Sequence, residues 1–273
     1  MSRPPHRRFR AAFWTDKPLK NWEFTLKFIG IVEDYEQTFT PMSFFGGDAT
    51  RAQMQKWEDS EKQSKVDKLA NAMLSPQAIC VGLDNGIRAF KQDFPFSYTI
   101  HYADPRSKKP APSVLSLDVG YGYFQSFQQL ETFIAVAERI SAIADPLWGY
   151  IHDVDDSLAI MGRHRFAPRR YAPAAFWGSY FGPAMLARMD MRKLLSFRHH
   201  SKKELENGTL YMQMTADPAD VYDKNRRKQL RKFARAVGAW RPNRFSKTAG
   251  GDLPPRLSDM QPQPRSGAKG GSQ

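Results

Sequence analysis

Apolar residues recur along this chain in two rhythms, every second position and every third or fourth, and the switches between them predict its elements. NWEFTLKFIGIV places Trp22, Phe24, Leu26 and Phe28 two apart before turning continuously apolar, which predicts a strand with one buried face. After the Gly46-Gly47 break, Asp48 or Thr50 can cap a helix to about Leu74, with Met54, Trp57, Val66, Leu69 and Met73 as an imperfect apolar stripe. AICVGL, the turn residues Asp84-Asn85-Gly86 and IRAF predict a hairpin, because Asn-Gly readily adopts positive φ. FSYTIHY and SVLSLDV predict a further antiparallel pair with a longer loop. Ser126 is placed to cap a helix in which Phe127, Leu130, Ile134, Ala137 and Ile140 recur, ending near Ala144.

In the C-terminal half, LWGYIHDV predicts a strand and MGRHRFAPRRYAP a basic loop broken by prolines. FWGSYFGPAMLARM predicts a short helix, LLSFRHH a strand, Glu206-Asn207-Gly208 a turn and TLYMQMT its partner strand. Asp217 can cap a last helix with Val221, Leu230, Phe233 and Val237 as its apolar seam. Strands and helices mix without a βαβ rhythm or an internal repeat, so the expected class is α+β, a mostly antiparallel sheet with several packed helices.

Composition changes this picture mainly at the ends. The 273 residues are 41% hydrophobic, enough for a core, and their longest apolar runs are far too short to span a bilayer. The basic N-terminus leads into no apolar signal segment, and the one cysteine, Cys80, sits in an apolar run where a buried thiol is expected; a cytoplasmic protein without membrane contact follows. The net charge of +13 divides unevenly, with +5 over residues 1–20, +11 over 224–273 and −3 between them. We therefore expect a flexible basic arm over 1–20, one α+β domain over 21–239 and a disordered basic tail over 240–273.

Candidate chemistry is sparse. IHDVDDSLAI gathers His152, Asp153, Asp155 and Asp156, types that bind divalent metals, but without a second well-spaced ligand group it reads as an acidic turn or partner-contact patch. His199-His200 would point apart in a strand. There is no G-x-S-x-G elbow, Cys80 has no histidine near it in sequence, and GYGY at 120–123 lacks the dinucleotide and P-loop endings. No catalytic residue, metal or cofactor is expected. The basic C-terminal segment aligns Arg227, Arg231 and Arg235 at i,i+4, with Arg241 beyond, so nucleic-acid association is one alternative. A metal-dependent hydrolase centred on His152 is another.

One stretch carries a resemblance. Trp177, Ser179, Tyr180, Phe181, Gly182 and Pro183, then Leu194-Leu195, then Met214, Thr215 and Pro218, form a W-x-S-Y-F-G-P … L-L … M-T-x-x-P pattern. This resembles the immunity protein 52 family of bacterial polymorphic-toxin systems, over roughly residues 20–237. The resemblance implies a single α+β domain that neutralises a cognate toxin or effector domain by binding it, without an enzymatic activity. Trp177 and Tyr180 are then scaffold or interface anchors, and Asp153, Asp155 and Asp156 an exposed patch facing a basic toxin cleft.

Overall fold

In this computed structural model the described residues are 7–35, 37–39, 41, 43–45, 55–56, 62–75, 78, 80–84, 95–103, 111–161, 172, 174–238 and 256–257. Their backbone is organised around the segment expected to be a flexible arm. Arg8–Thr15 (β1) runs through the interior of a ten-stranded sheet, antiparallel to Ser113–Gly120 (β6) on one side and Trp148–Asp153 (β7) on the other. The basic composition of the N-terminus concealed a strand alternation: Phe9, Ala11 and Phe13 are buried on one face, while Arg10, on the other, is neutralised by Asp118 directly opposite it.

From β1 the chain leaves to one side and returns. It forms Trp22–Asp34 (α1), Ser43–Phe45 (β2), Gln55–Lys56 (β3), Lys62–Leu74 (α2), Cys80–Asp84 (β4) and Phe96–His101 (β5), and comes back as β6. Phe127–Ala144 (α3) then crosses the sheet, and β7 opens the other half with Val154–Met161 (α4), Gly178–Phe181 (β8), Pro183–Leu186 (α5), Met191–Ser196 (α6), Ser201–Glu204 (β9), Leu210–Gln213 (β10) and Lys224–Ala236 (α7). The strand order is β3-β2-β4-β5-β6-β1-β7-β8-β10-β9, and every pairing is antiparallel, as an α+β fold requires.

Two aromatic layers hold the faces. On one, Phe28 of α1 meets Tyr98, Phe133 of α3 meets Phe9, and Phe13 meets Tyr180. On the other, Trp14 packs on Trp148 and Tyr150, Tyr150 on Phe176, and Phe181 on Phe233 of α7.

Several expectations hold. β5 pairs with β6, Ser126 caps α3 by accepting from Gln129 N–H, and the 206–208 turn joins β9 to β10. Others are corrected. NWEFTLKFIGIV is helix α1, because Phe24, Phe28, Ile31 and Val32 at i, i+4, i+7 and i+8 are the buried set, whereas Trp22 and Leu26 stay 54% and 45% exposed. Asn21 caps it, accepting from Phe24 N–H. The helix expected from Asp48 or Thr50 begins at Lys62, since Gln55–Lys56 pairs with β2. Leu194–Ser196 of LLSFRHH end helix α6, which Asp190 caps, and the partner of β10 is SKKE; an edge strand with no apolar face leaves no hydrophobic alternation to read. Asp217 caps a 3-10 turn at Pro218–Tyr222, and Asp223 caps α7.

The FWGSYFGP stretch becomes strand β8 and then α5. Gly182 is dictated by contact, since a Cβ there would lie 1.8 Å from the Pro146 carbonyl oxygen. In the expected disordered tail, Leu257 is buried and its N–H donates to Asp217 Oδ2 at 2.6 Å. Apart from residues 256–257, that tail lies outside the described residues, as do the Asn85-Gly86 turn with IRAF and residues 162–171 of the basic loop.

Candidate functional site

The IHDVDDSLAI cluster forms where β7 turns directly into α4. His152, Asp153 and Asp156 are buried, at 1%, 1% and 3% exposure, and only Asp155 faces solvent. The expected exposed acidic patch is therefore corrected to an internal network. Asp153 Oδ1 accepts from Asp156 N–H at 2.9 Å, capping the first turn of α4. His152 Nδ1 accepts from Trp177 N–H at 3.4 Å, which leaves its proton on Nε2 to donate to Asp156 Oδ2 at 2.8 Å. Both ring nitrogens are thus occupied. Phe176 packs on the imidazole at 5.1 Å.

Arg7 closes the network from the start of β1, its Nε 3.1 Å from Asp153 Oδ2 without the alignment of a hydrogen bond. The Tyr222 ring carries the Arg7 guanidinium at 5.3 Å and that of Arg227 at 5.0 Å. Burial pushes the Asp153 carboxyl above the usual carboxylate range, against the Asp156 amide and Arg7. Burial also acts upward on Asp156, but the His152 hydrogen bond and the cations Arg227 and Arg7 outweigh it and hold that carboxyl low. A second ion pair, Arg10 to Asp118, is bidentate at 2.6 Å for both contacts. Together these join β1, β6, β7, α4 and the 218–222 turn; their chemistry is that of buried charges paired inside a fold.

The aromatic candidates are internal as well. Trp177 and Tyr180 are fully buried: Trp177 Nε1 donates to Thr215 O at 3.0 Å with its ring 5.4 Å from Phe9, and Tyr180 stacks on Tyr211 at 4.6 Å. Neither is an exposed contact. On α7, Arg231 and Arg235 are exposed, Arg227 is half-buried against Tyr222, and Arg241 lies outside the described residues. Cys80 is half-buried, and a histidine does stand near it: His101 Nε2, from the paired strand, is 3.9 Å from Sγ. Burial pushes the thiol up, away from thiolate. Among the described residues no group of three His, Cys, Asp or Glu side chains is placed to hold a metal ion, and no helix is long and apolar enough to cross a membrane.

An open site that the sequence reading missed lies between α3 and the β9–β10 edge. A groove of about 310 Å³ has Phe127, Leu130, Ile134 and Tyr211 among its apolar lining and Glu131 and Glu138 on the helix wall. Residues 127, 130, 131, 134, 135 and 138 line it at helical spacing, so one face of α3 supplies a whole wall. Lys203 of β9, beside the groove, places its Nζ 2.5 Å from Glu138 Oε2. The available signal was the pair of acids seven residues apart beside the apolar stripe of α3; what could not be read was β10, with Tyr211, folding back opposite them.

No family model and no curated protein sequence matches the chain. Its structure is similar to that of the Pseudomonas aeruginosa T6SS protein PA0821, with a TM-score of 0.59 and 11% sequence identity, covering 86% of this chain and 77% of that one. At this identity the likeness is one of fold.

Proposed function

We propose that this protein is a non-enzymatic immunity protein that binds and neutralises a cognate toxin or effector domain in the cytoplasm. The observation that carries the reading is the likeness of most of this chain to a T6SS protein, since type VI secretion delivers toxins against which the producing cell needs protection. The W-x-S-Y-F-G-P signature and its resemblance to immunity protein 52 point the same way. The geometry is compatible with binding: the titratable groups around His152 are spent on each other, and the α3–β10 groove offers an accessible recessed surface.

The test is co-expression with candidate toxin or effector domains, beginning with any encoded next to this gene. Rescue of growth, together with a stoichiometric complex of the two purified proteins, is the expected result; continued killing with no complex overturns the reading. A second reading rests on α7, whose 13 residues carry seven Lys and Arg and no acid. If this helix binds nucleic acid, affinity for a DNA or RNA duplex falls steeply with salt and collapses when Arg231 and Arg235 are replaced by Gln.

A further inference from the structure

The groove beside α3 shows what its occupant must be. Its lining combines the apolar Phe127, Leu130, Ile134 and Tyr211 with the polar His200, Ser201 and Gln213, and carboxylates stand seven residues apart on one wall, about 10 Å at 1.5 Å per helical residue. An entirely aliphatic ligand would leave those acids unused, and an anion would be repelled by them. A side chain with a long methylene stem and a cationic head satisfies both parts, stem on the aromatic floor and head on a carboxylate. The protein already demonstrates half of this arrangement, because Lys203 reaches from the edge strand to Glu138, whose side chain is only 18% exposed. Glu131, two turns away on the same helix, is exposed.

We propose that the groove receives a Lys or Arg side chain from a protein partner, bound at Glu131 with its stem along Ile134 and Tyr211, while Lys203 fills the Glu138 end from within the chain. This deepens the immunity reading and rests on it for the partner's identity, though the pocket chemistry is testable without that partner.

The experiment titrates the full-length protein with N-acetyl-arginine methylamide and N-acetyl-lysine methylamide, following backbone amide NMR shifts. Saturable millimolar binding is expected, with shifts confined to residues 127–138 and 200–216. Glu131→Gln should weaken it about 3-fold and the Glu131→Gln/Glu138→Gln double variant about 10-fold, the scale of one and two part-exposed charge contacts. Lys203→Ala should tighten it about 2-fold by releasing Glu138, a change that a purely structural Lys203 would not produce. Equal shifts from N-acetyl-glutamate methylamide, shifts outside the groove, an unaltered affinity in Lys203→Ala, or putrescine binding as tightly as the amino-acid amides would each overturn the proposal. Groove binding with no protection in the co-expression test would instead overturn only the immunity reading.

Discussion

Two pairs of carboxylates in this protein face opposite physical situations. Asp153 and Asp156 are sealed between β7 and α4 and answered by Arg7 and His152, whereas Glu131 and Glu138 stand on one wall of an open groove, Glu138 paired with Lys203 and Glu131 exposed. In sequence the first pair is the more conspicuous, since acids crowd around a histidine. The structure reverses their standing: the crowded acids stabilise the junction of β7 and α4, and the sparse ones are available to another molecule. A charge taken out of water must be matched within the fold, while a charge left at the surface contributes little to stability and can be spent on binding.

Mutations should separate the two regions by what they disturb. The largest effect is expected from Trp177→Ala, which empties a fully buried site and deletes the hydrogen bond to Thr215 O; a loss of about 3–5 kcal/mol should appear in urea unfolding. A folded Trp177→Ala protein of unchanged stability would return Trp177 to the list of contact residues. Arg7→Ala comes next, at about 3 kcal/mol, because it strands the Asp153 carboxylate in the interior.

Asp156→Asn should cost about 1.5–3 kcal/mol at neutral pH, and its pH dependence is the sharper readout. The folded Asp156 carboxyl is held below its usual value, so its stabilisation is present above the unfolded pKa and is lost as pH falls through the folded one. Asp153 is raised, so its own contribution has the opposite sign and is lost as pH rises through its folded pKa. Stability of Asp156→Asn between about pH 5 and pH 2 should therefore fall less steeply than that of the parent, and parallel curves would show that the carboxylate is not held by His152. Smallest of all, Glu138→Gln should shift stability by less than about 1 kcal/mol, with its consequence confined to binding. A larger loss would move Glu138 from the open region to the structural one.

Local signals were read correctly where they depended on neighbours in sequence. Ser126 ahead of an apolar stripe gave α3, the alternation of FSYTIHY and SVLSLDV gave β5 and β6, and Asn207-Gly208 gave the β9–β10 turn. They misled where one pattern served two periods: Trp22, Phe24, Leu26 and Phe28 fit a strand, but burial of Phe24, Phe28 and Val32 made the segment a helix and left Trp22 and Leu26 outside. The candidate site was less legible still, because its walls come from residues 127–138 and 200–216, which only the fold brings together.

What the sequence determined by itself is the α+β class, the Ser126 cap of α3 and the 206–208 turn, since backbone preference and hydrophobic period act over a few residues. Tertiary structure alone decided that Arg8–Thr15 is a strand of the sheet interior and that Asp153 and Asp156 lie inside while Glu131 and Glu138 line a groove. The reason is that burial of a charge depends on what packs over it. For β1 the partners lie about a hundred residues or more away: Asp118 meets Arg10 and Asp153 meets Phe9 only when the chain returns on both sides of the first strand.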